Sequence, residues 1–300
     1  MYIVTGATGH TGAVVADALL AAGRQVRVIG RDANRLQRFT SKGAQPFIAD
    51  ITDSAAIANA FSGAEAAYLM VPPNPSAPDV SAYEARAGDS LVSAIQRSGA
   101  RNAVVLSSFG ADKSEKTGPV VGLHRLEQKL NAVPGLNALY LRAGYFMENI
   151  LPQVGIINSL GFMAGPVQGD LPLPMIATRD IGAVAAEALL KLNFQGKQSR
   201  ELQGERDVTY NQVANLIGSA VGKSGLIYQQ LPPVQIRPAL LQMGMSNSMV
   251  DLLLEMTEAV NTGHMRALEP RSAATTTPTK LETWINDVFV PAYRGQAATA

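Results

Sequence analysis

Gly6, Gly9 and Gly12 follow directly on a short apolar run, YIVT (2–5), and lead into apolar residues at helical spacing over 11–22, closed by Gly23. A strand, a glycine turn and a helix packed into so few residues leave little choice: the helix must fold back over the sheet that contains the strand. The same beat then repeats. VRVI (26–29) reads as a second strand and 32–40 as a helix stopped near Gly43. PFIA (46–49) is a third strand, followed by DITDS and the helical AAIANAF. AAYLMV (66–71) is a fourth, ended by Pro72 and Pro73. A longer helix covers 80–98, followed by Gly99. AVVLSS (103–108) and LNALYLR (136–142) supply strands five and six, with a helix over 120–131 between them. Strands and helices alternating through short links predict a parallel sheet covered on both faces, and near-continuous apolar strands fit that double burial. Right-handed crossovers then lead to an α/β, doubly wound parallel sheet.

After about residue 150 the beat is lost. Pro152, Gly155, Gly161, Gly165, Pro166, Gly169, Pro172 and Pro174 punctuate a loop-rich stretch. Helical spacing returns over 179–192, with Asp180 placed to complement the helix N-terminus, and over 210–222, closed by Gly222. LIYQQL (226–231) reads as a strand, and two further helices are expected around 234–262. The expected organisation is the doubly wound domain over 1–150 and a smaller lid or substrate lobe over 151–300, with segments returning to the first sheet. The small, polar tail from Gly295 is expected to fray.

Composition removes several classes of chemistry. The 300 residues contain no cysteine, which excludes disulfides and thiolate nucleophiles, and the formal net charge of +1 gives no hold for nucleic acid. His10, His124 and His264 lie far apart with no cluster of metal-ligand spacing, so no metal is expected. No G-x-S-x-G elbow occurs, and Gly222-Lys223-Ser224 lacks the earlier glycine of a phosphate-binding P-loop. No apolar run is long enough to span a bilayer, and a cytoplasmic protein is expected.

In the context of strand before and helix after, glycines let backbone N–H groups approach a pyrophosphate, and the helix N-terminus adds its positive end. Gly6, Gly9 and Gly12 are therefore candidate cofactor contacts, joined by the side chains of Thr8, His10 and Thr11. The second strand ends VRVIGRDANR. Arg31 stands where an acidic residue would hold the ribose 2′-hydroxyl of NAD, and Arg35 follows one helical turn later. Guanidinium groups suit a 2′-phosphate, so NADP(H) is preferred over NAD(H), and Asp32 is read as the N-cap of the next helix. Met70, Val71 and Pro72 end the fourth strand where the cofactor should pass.

The spacing G-x-x-G-x-x-G in GATGHTG (6–12) resembles the short-chain dehydrogenase superfamily. Asp50 and Ile51 match the position that lines the adenine in that superfamily, and Ser107 and Ser108 fall where it carries a catalytic serine or threonine. Most of its members use a tyrosine and a lysine four residues apart on a helix. None of the eight tyrosines, at 2, 68, 83, 140, 145, 210, 228 and 293, has lysine four positions on. The helix concerned reads VVGLHRLEQKLNA and offers His124, Glu127 and Lys129.

The wider match is to the NmrA-like branch of atypical short-chain dehydrogenases, and within it to the NAD(P)H-dependent quinone oxidoreductases. It rests on GATGHTG (6–12), GLHRLEQKL (122–130), LRAGYFMENIL (141–151), TRDIG (178–182) and ELQGERDVTYNQVANLIGSAVGK (201–223). PRSAATTTPTKLETW (270–284) fits the C-terminal helix entry. The resemblance implies a Rossmann domain, a smaller C-terminal α/β lobe and a substrate cleft between them. It also implies one of two behaviours: hydride transfer to a small quinone-like electrophile, or redox sensing of NADP(H) through a protein partner without significant catalysis. Hydride transfer to a quinone asks little of the protein beyond orientation. His124 is the candidate proton donor, because an imidazole titrates near neutrality. Ser108, Tyr145, Phe146 and Asn149 are the candidate substrate contacts, an aromatic pair and an amide suited to a flat ring. Either a monomer or a homodimer is compatible with the sequence.

Overall fold

The structure, a computed structural model, describes residues 1–296; the last part of the tail expected to fray, from 297, lies outside the described residues. The first half runs β1 (Tyr2–Val4), α1 (His10–Ala21), β2 (Val26–Gly30), α2 (Ala33–Thr40), β3 (Gln45–Ile48), α3 (Ser54–Ala60), β4 (Ala66–Leu69), α4 (Val80–Ser98), β5 (Asn102–Ser108), α5 (Val120–Asn131) and β6 (Asn137–Ala143). There follow β7 (Tyr145–Phe146), a 3-10 turn (Met147–Ile150), α6 (Gln153–Leu160), β8 (Met163–Gly165), β9 (Leu173–Ile176), α7 (Thr178–Lys191) and β10 (Lys197–Leu202). The chain closes with β11 (Asp207–Val208), α8 (Tyr210–Val221), β12 (Tyr228–Gln230), α9 (Pro233–Gln242), α10 (Asn247–Asn261), α11 (Leu281–Trp284), a π turn (Ile285–Phe289) and α12 (Val290–Tyr293).

The main sheet has the order β10-β6-β5-β4-β1-β2-β3, and every pairing in it is parallel. This is the doubly wound Rossmann arrangement. The order reverses between β1 and β4, the point at which such sheets open a crevice for ligands. One face is filled by Ile57, Leu91, Ile95, Leu126 and Leu130 from α3, α4 and α5. The other is filled by Val15, Leu19, Leu36, Phe39, Ile181 and Leu189 from α1, α2 and α7. A third core gathers around the fully buried Trp284, with Met147, Ile157, Met175, Val213 and Phe289.

Differences from the sequence expectation concentrate where strands are short or at an edge. β7, β8, β9 and β11 have two to four residues each, too few for a two-residue period to register. β10, KQSREL, is polar because it is an edge strand with its first four residues at least partly exposed. β3 is the opposite edge, and Pro46 is tolerated there because an edge strand need not donate every N–H. Asp180 does lie in the first turn of α7, but its carboxylate is buried and accepts the amide (2.9 Å) and hydroxyl (2.6 Å) of Thr279. It fastens the C-terminal segment rather than serving the helix dipole alone.

Candidate active site

The glycine loop is shaped by its own backbone. Gly6 has φ +63°, and a Cβ there would come within 2.6 Å of Met70 Cγ. A Cβ on Gly12 would come within 2.7 Å of the Gly6 carbonyl carbon. These two glycines let the loop fold against itself and against the end of β4. Thr5 completes the join, its hydroxyl accepting the Met70 N–H at 2.8 Å. Gly9 is the N-cap of α1 and brings no side-chain cap, whereas α2, α3 and α4 are capped by Asp32, Asp53 and Asp79. The start of α1 is thus an uncapped, positively polarised helix end beside a loop without side chains at its tightest points.

The side chains of the loop divide. His10 is exposed and Thr8 half-buried, while the Thr11 hydroxyl turns inward and accepts from Tyr68 at 2.8 Å. Asp32 caps α2, its carboxylate accepting the Asn34 N–H at 2.8 Å. That leaves Arg31 exposed, with no hydrogen bond or ion pair among the described residues, and Arg35 reaching back to the Thr8 carbonyl at 3.0 Å. Two hydrogen bonds from Thr52 hold the Asp50 carboxyl below the usual carboxylate range, with a smaller pull from Arg31. Ile51 is buried in the core beside it. These donors fit a dinucleotide: an open helix end and bare backbone for a pyrophosphate, and for a 2′-phosphate a guanidinium that makes no ion pair and feels Asp50 only as a neighbouring charge.

Beyond Met70 a cavity of about 620 Å³ opens between the ends of β4, β5 and β6 and the C-terminal lobe. Met70, Val71, Ser107, Ser108, Tyr145, Phe146 and Asn149 all line it, so the structure brings these sequence candidates to one wall. Pro73 lines it and Pro72 does not; the Pro72 carbonyl accepts from Tyr83 OH at 2.9 Å. The far wall comes from distant sequence, with Leu171, Met256, Met265 and Arg266 among its residues.

The polar groups on this wall are unequally committed. Ser107 is buried and its hydroxyl donates to Glu127 Oε1 at 2.6 Å. Arg142 closes a fork on the same carboxylate, through Nε at 3.1 Å and Nη2 at 2.6 Å. An ion pair between a buried carboxylate and a partly buried guanidinium therefore stands behind the end of β5. The Tyr145 hydroxyl is bonded to Tyr210 at 2.8 Å, and Tyr210 stacks on Tyr228, so Tyr145 offers the cavity its ring. Burial raises the pKa of Tyr145, which removes it as an ionised base. Ser108 and Asn149 have side chains with no partner among the described residues and are available to a ligand.

The structure does not bring His124 to this cavity. Its Nδ1 donates to the Ala111 carbonyl at 2.8 Å, and α5 presents Gly122 and Leu123 to the lining instead. A titratable side chain that does line it was not singled out from sequence: Glu84, on α4, whose carboxyl is pushed up to about 7 by burial despite the field of Arg125. No local motif marks it, because its neighbours come from α5 and from loops.

The C-terminal segment reaches the cavity through two carboxylates equally hidden from sequence, Glu201 buried and Glu148 partly so. Glu201, at the end of β10, accepts the Leu268 and Glu269 amides at 2.9–3.0 Å and so seats Met265, Arg266 and Ala267 over the opening. Glu148 accepts from the Thr178 amide and from Trp284 Nε1 at 3.2 Å, tying α7 to the last core.

A doubly wound parallel sheet, a glycine loop opening an uncapped helix and a cavity at the C-terminal strand ends define a dinucleotide-binding protein of the Rossmann class. Comparison with known proteins narrows that class: the profile of the NmrA-like family matches residues 2–285, and the chain belongs to that family. Among curated proteins, the (4-alkanoyl-5-oxo-2,5-dihydrofuran-3-yl)methyl phosphate reductase of Streptomyces griseus is 27% identical over 241 residues, 80% of each chain. Among solved structures, the NADPH-dependent quinone oxidoreductase of Escherichia coli, complexed with NADPH, superposes with a TM-score of 0.80 at 25% identity, over 96% of this chain and 100% of its own. The Citrobacter triphenylmethane reductase with NADP(H) shares the fold, with a TM-score of 0.76 at 16% identity over 94% of this chain and 98% of its own. No helix among the described residues is long and apolar enough to cross a membrane.

Proposed function

We infer that the protein is an NADPH-dependent reductase of quinones or similar small carbonyl electrophiles. The observation that carries this reading is the adjacency of two complementary features: the glycine loop packs onto Met70, and Met70 lines the mainly apolar cavity. Gly6, Gly9 and Gly12 with the start of α1 would hold the pyrophosphate, Asp50 and Ile51 would flank the adenosine, and Arg31 with Arg35 would hold a 2′-phosphate. The reduced nicotinamide supplies a hydride when bound. The chain itself orients the acceptor and excludes water. The Tyr145 ring and Phe146 provide flat apolar surface, and Ser108 and Asn149 provide hydrogen bonds to carbonyl oxygens. The volume suits a small molecule of one to a few rings. Two relatives support the chemistry: the Escherichia coli protein is a quinone oxidoreductase, and the Streptomyces enzyme reduces an oxo-dihydrofuran.

The test follows NADPH consumption with a panel of simple quinones and cyclic enones. The expected result is turnover in the wild type and none in Gly9→Asp, which fills the pyrophosphate approach with a carboxylate. Wild-type turnover no greater than that of Gly9→Asp across the panel would overturn the reading. The absence of a Tyr-x-x-x-Lys pair supports a second reading, a sensor of NADP(H) that acts on a protein partner. It predicts strong discrimination between NADPH and NADP⁺ together with no turnover.

A further inference from the structure

The reductase reading leaves the proton unassigned. Each two-electron reduction of a carbonyl acceptor by hydride also puts a proton on oxygen, and neither His124, Ser107 nor Tyr145 is free to give one. We propose that Glu84 is the proton donor of this site, delivering the proton of its carboxylic acid to the substrate oxygen. This rests on the reductase reading and extends it to a residue and a substrate class.

Glu84 lies on α4 and lines the same cavity as Ser108, Tyr145, Phe146 and Met70. Its carboxyl has no hydrogen-bond or ion-pair partner among the described residues, although it is not exposed. Every other carboxylate that supports this site is occupied: Glu127 by Ser107 and Arg142, Glu201 by two amides, Glu148 by Thr178 and Trp284, Asp207 by Arg271. Room for it is made on the facing helix. A Cβ on Gly122 would come within 2.9 Å of Glu84 Cδ, so α5 offers bare backbone at the one place where the carboxyl stands. Burial of an unpaired carboxyl raises its pKa to about 7, so a large share of Glu84 keeps its proton near neutrality. The groups around it do not cancel that effect. α3 carries no titratable side chain; α5 brings Arg125, which acts weakly against the shift, and His124, bonded to Ala111. α10 brings Glu255, engaged by the Gly118 amide, and across the cavity stand Arg266 and the Asp207–Arg271 pair.

The step balances without a further reactant. The acceptor gains a C–H or O–H bond from the transferred hydride as the dihydronicotinamide C–H bond breaks. The O–H bond of Glu84 breaks as the acceptor oxygen takes the proton, and the carboxylate left behind is reprotonated by solvent. A quinone stabilises the developing negative charge over its own ring, whereas an α,β-unsaturated ketone or lactone does so less well. A resident acid therefore matters most for the weaker acceptors.

The experiment compares Glu84→Gln with the wild type, each loaded with NADPH, using 1,4-benzoquinone and 2-cyclohexenone. The expected result is a kcat for the enone lowered about a hundredfold, a smaller loss for the quinone, and unchanged NADPH affinity. The wild-type kcat for the enone falls as pH rises through about 7, and that fall is absent in the variant. A readout independent of turnover is the carbon NMR signal of labelled glutamate carboxyls. One signal in the wild type titrates near neutrality, moves when hydroquinone is added, and is missing from Glu84→Gln. Gly122→Ala, which crowds the carboxyl without removing it, shifts the same signal. Turnover in the wild type with an unaffected kcat and pH profile in Glu84→Gln would overturn this assignment alone, as would a carboxyl that titrates in the ordinary range and ignores hydroquinone. A wild type that reduces nothing would overturn the reductase reading and this assignment together.

Discussion

The two ends of the crevice are built by opposite means. At the glycine loop the chain works almost entirely with backbone: three glycines, an uncapped helix and residues within a single turn of strand and helix. At the cavity wall it works with side chains drawn from residues 70 to 267 and held by buried carboxylates. A backbone site is rigid because its geometry is set by local sterics and the sheet beneath it. A side-chain site needs a support behind each member, and Glu127, Glu148, Asp180 and Glu201 supply those supports. The first kind tolerates no bulk and the second no loss of a partner.

That contrast can be broken most forcefully at Glu127. It is 2% exposed and carries both Ser107 and Arg142. Glu127→Ala leaves the guanidinium without its partner, and unfolding in urea is expected to show a loss of about 3–5 kcal/mol. A loss under about 1 kcal/mol would mean that the cavity wall does not depend on this support. Next in size is Gly12→Ala. The added methyl meets the Gly6 carbonyl, so a cost of about 1–3 kcal/mol is expected together with loss of NADPH binding by fluorescence titration. Gly155→Ala, whose new methyl meets nothing within 4 Å, should leave binding intact.

Arg31→Ala sharpens the comparison by touching a side chain at the backbone-built end. NADPH affinity should fall about ten- to a hundredfold while NADH affinity holds, because only the 2′-phosphate loses charge-assisted bonds. Equal losses for both cofactors would place Arg31 elsewhere. The smallest effect is expected at Tyr210→Phe, which removes the partner of the Tyr145 hydroxyl while keeping the ring stacked on Tyr228. A stability cost of about 1 kcal/mol and a raised KM for ring substrates with little change in NADPH affinity would fit a wall positioned from behind.

The two regions also differ in how far they could be read in advance. The loop, Arg31 and the Asp32 cap are contiguous, and each carries its reason within a few residues. Ser108, Tyr145, Phe146 and Asn149 were reachable because Ser108 ends strand five and the others lie just past strand six, where a doubly wound sheet opens. Glu84 was not, because it sits mid-helix on an ordinary amphipathic stretch, and its burial against Gly122 of the facing helix arises only from tertiary packing. The same holds for Glu201, whose polar edge strand gave no pattern to follow, and for His124, whose bond to Ala111 spans a loop.

By itself the sequence determined the doubly wound parallel sheet, its first six strands along the chain and the place where a phosphate-bearing ligand would approach. Those features follow from hydrophobic period, glycine placement and crossover handedness, all local or nearly so. Only the tertiary structure decided which polar groups are spent and which are free. A hydroxyl or carboxyl is committed by whatever stands opposite it, and here the opposing residue is distant in sequence, 20 positions away for Ser107 and Glu127 and 136 for Glu148 and Trp284. Ser107 and Thr11 were thereby turned to structural bonds, and Glu84 was left unpaired in the wall of the cavity.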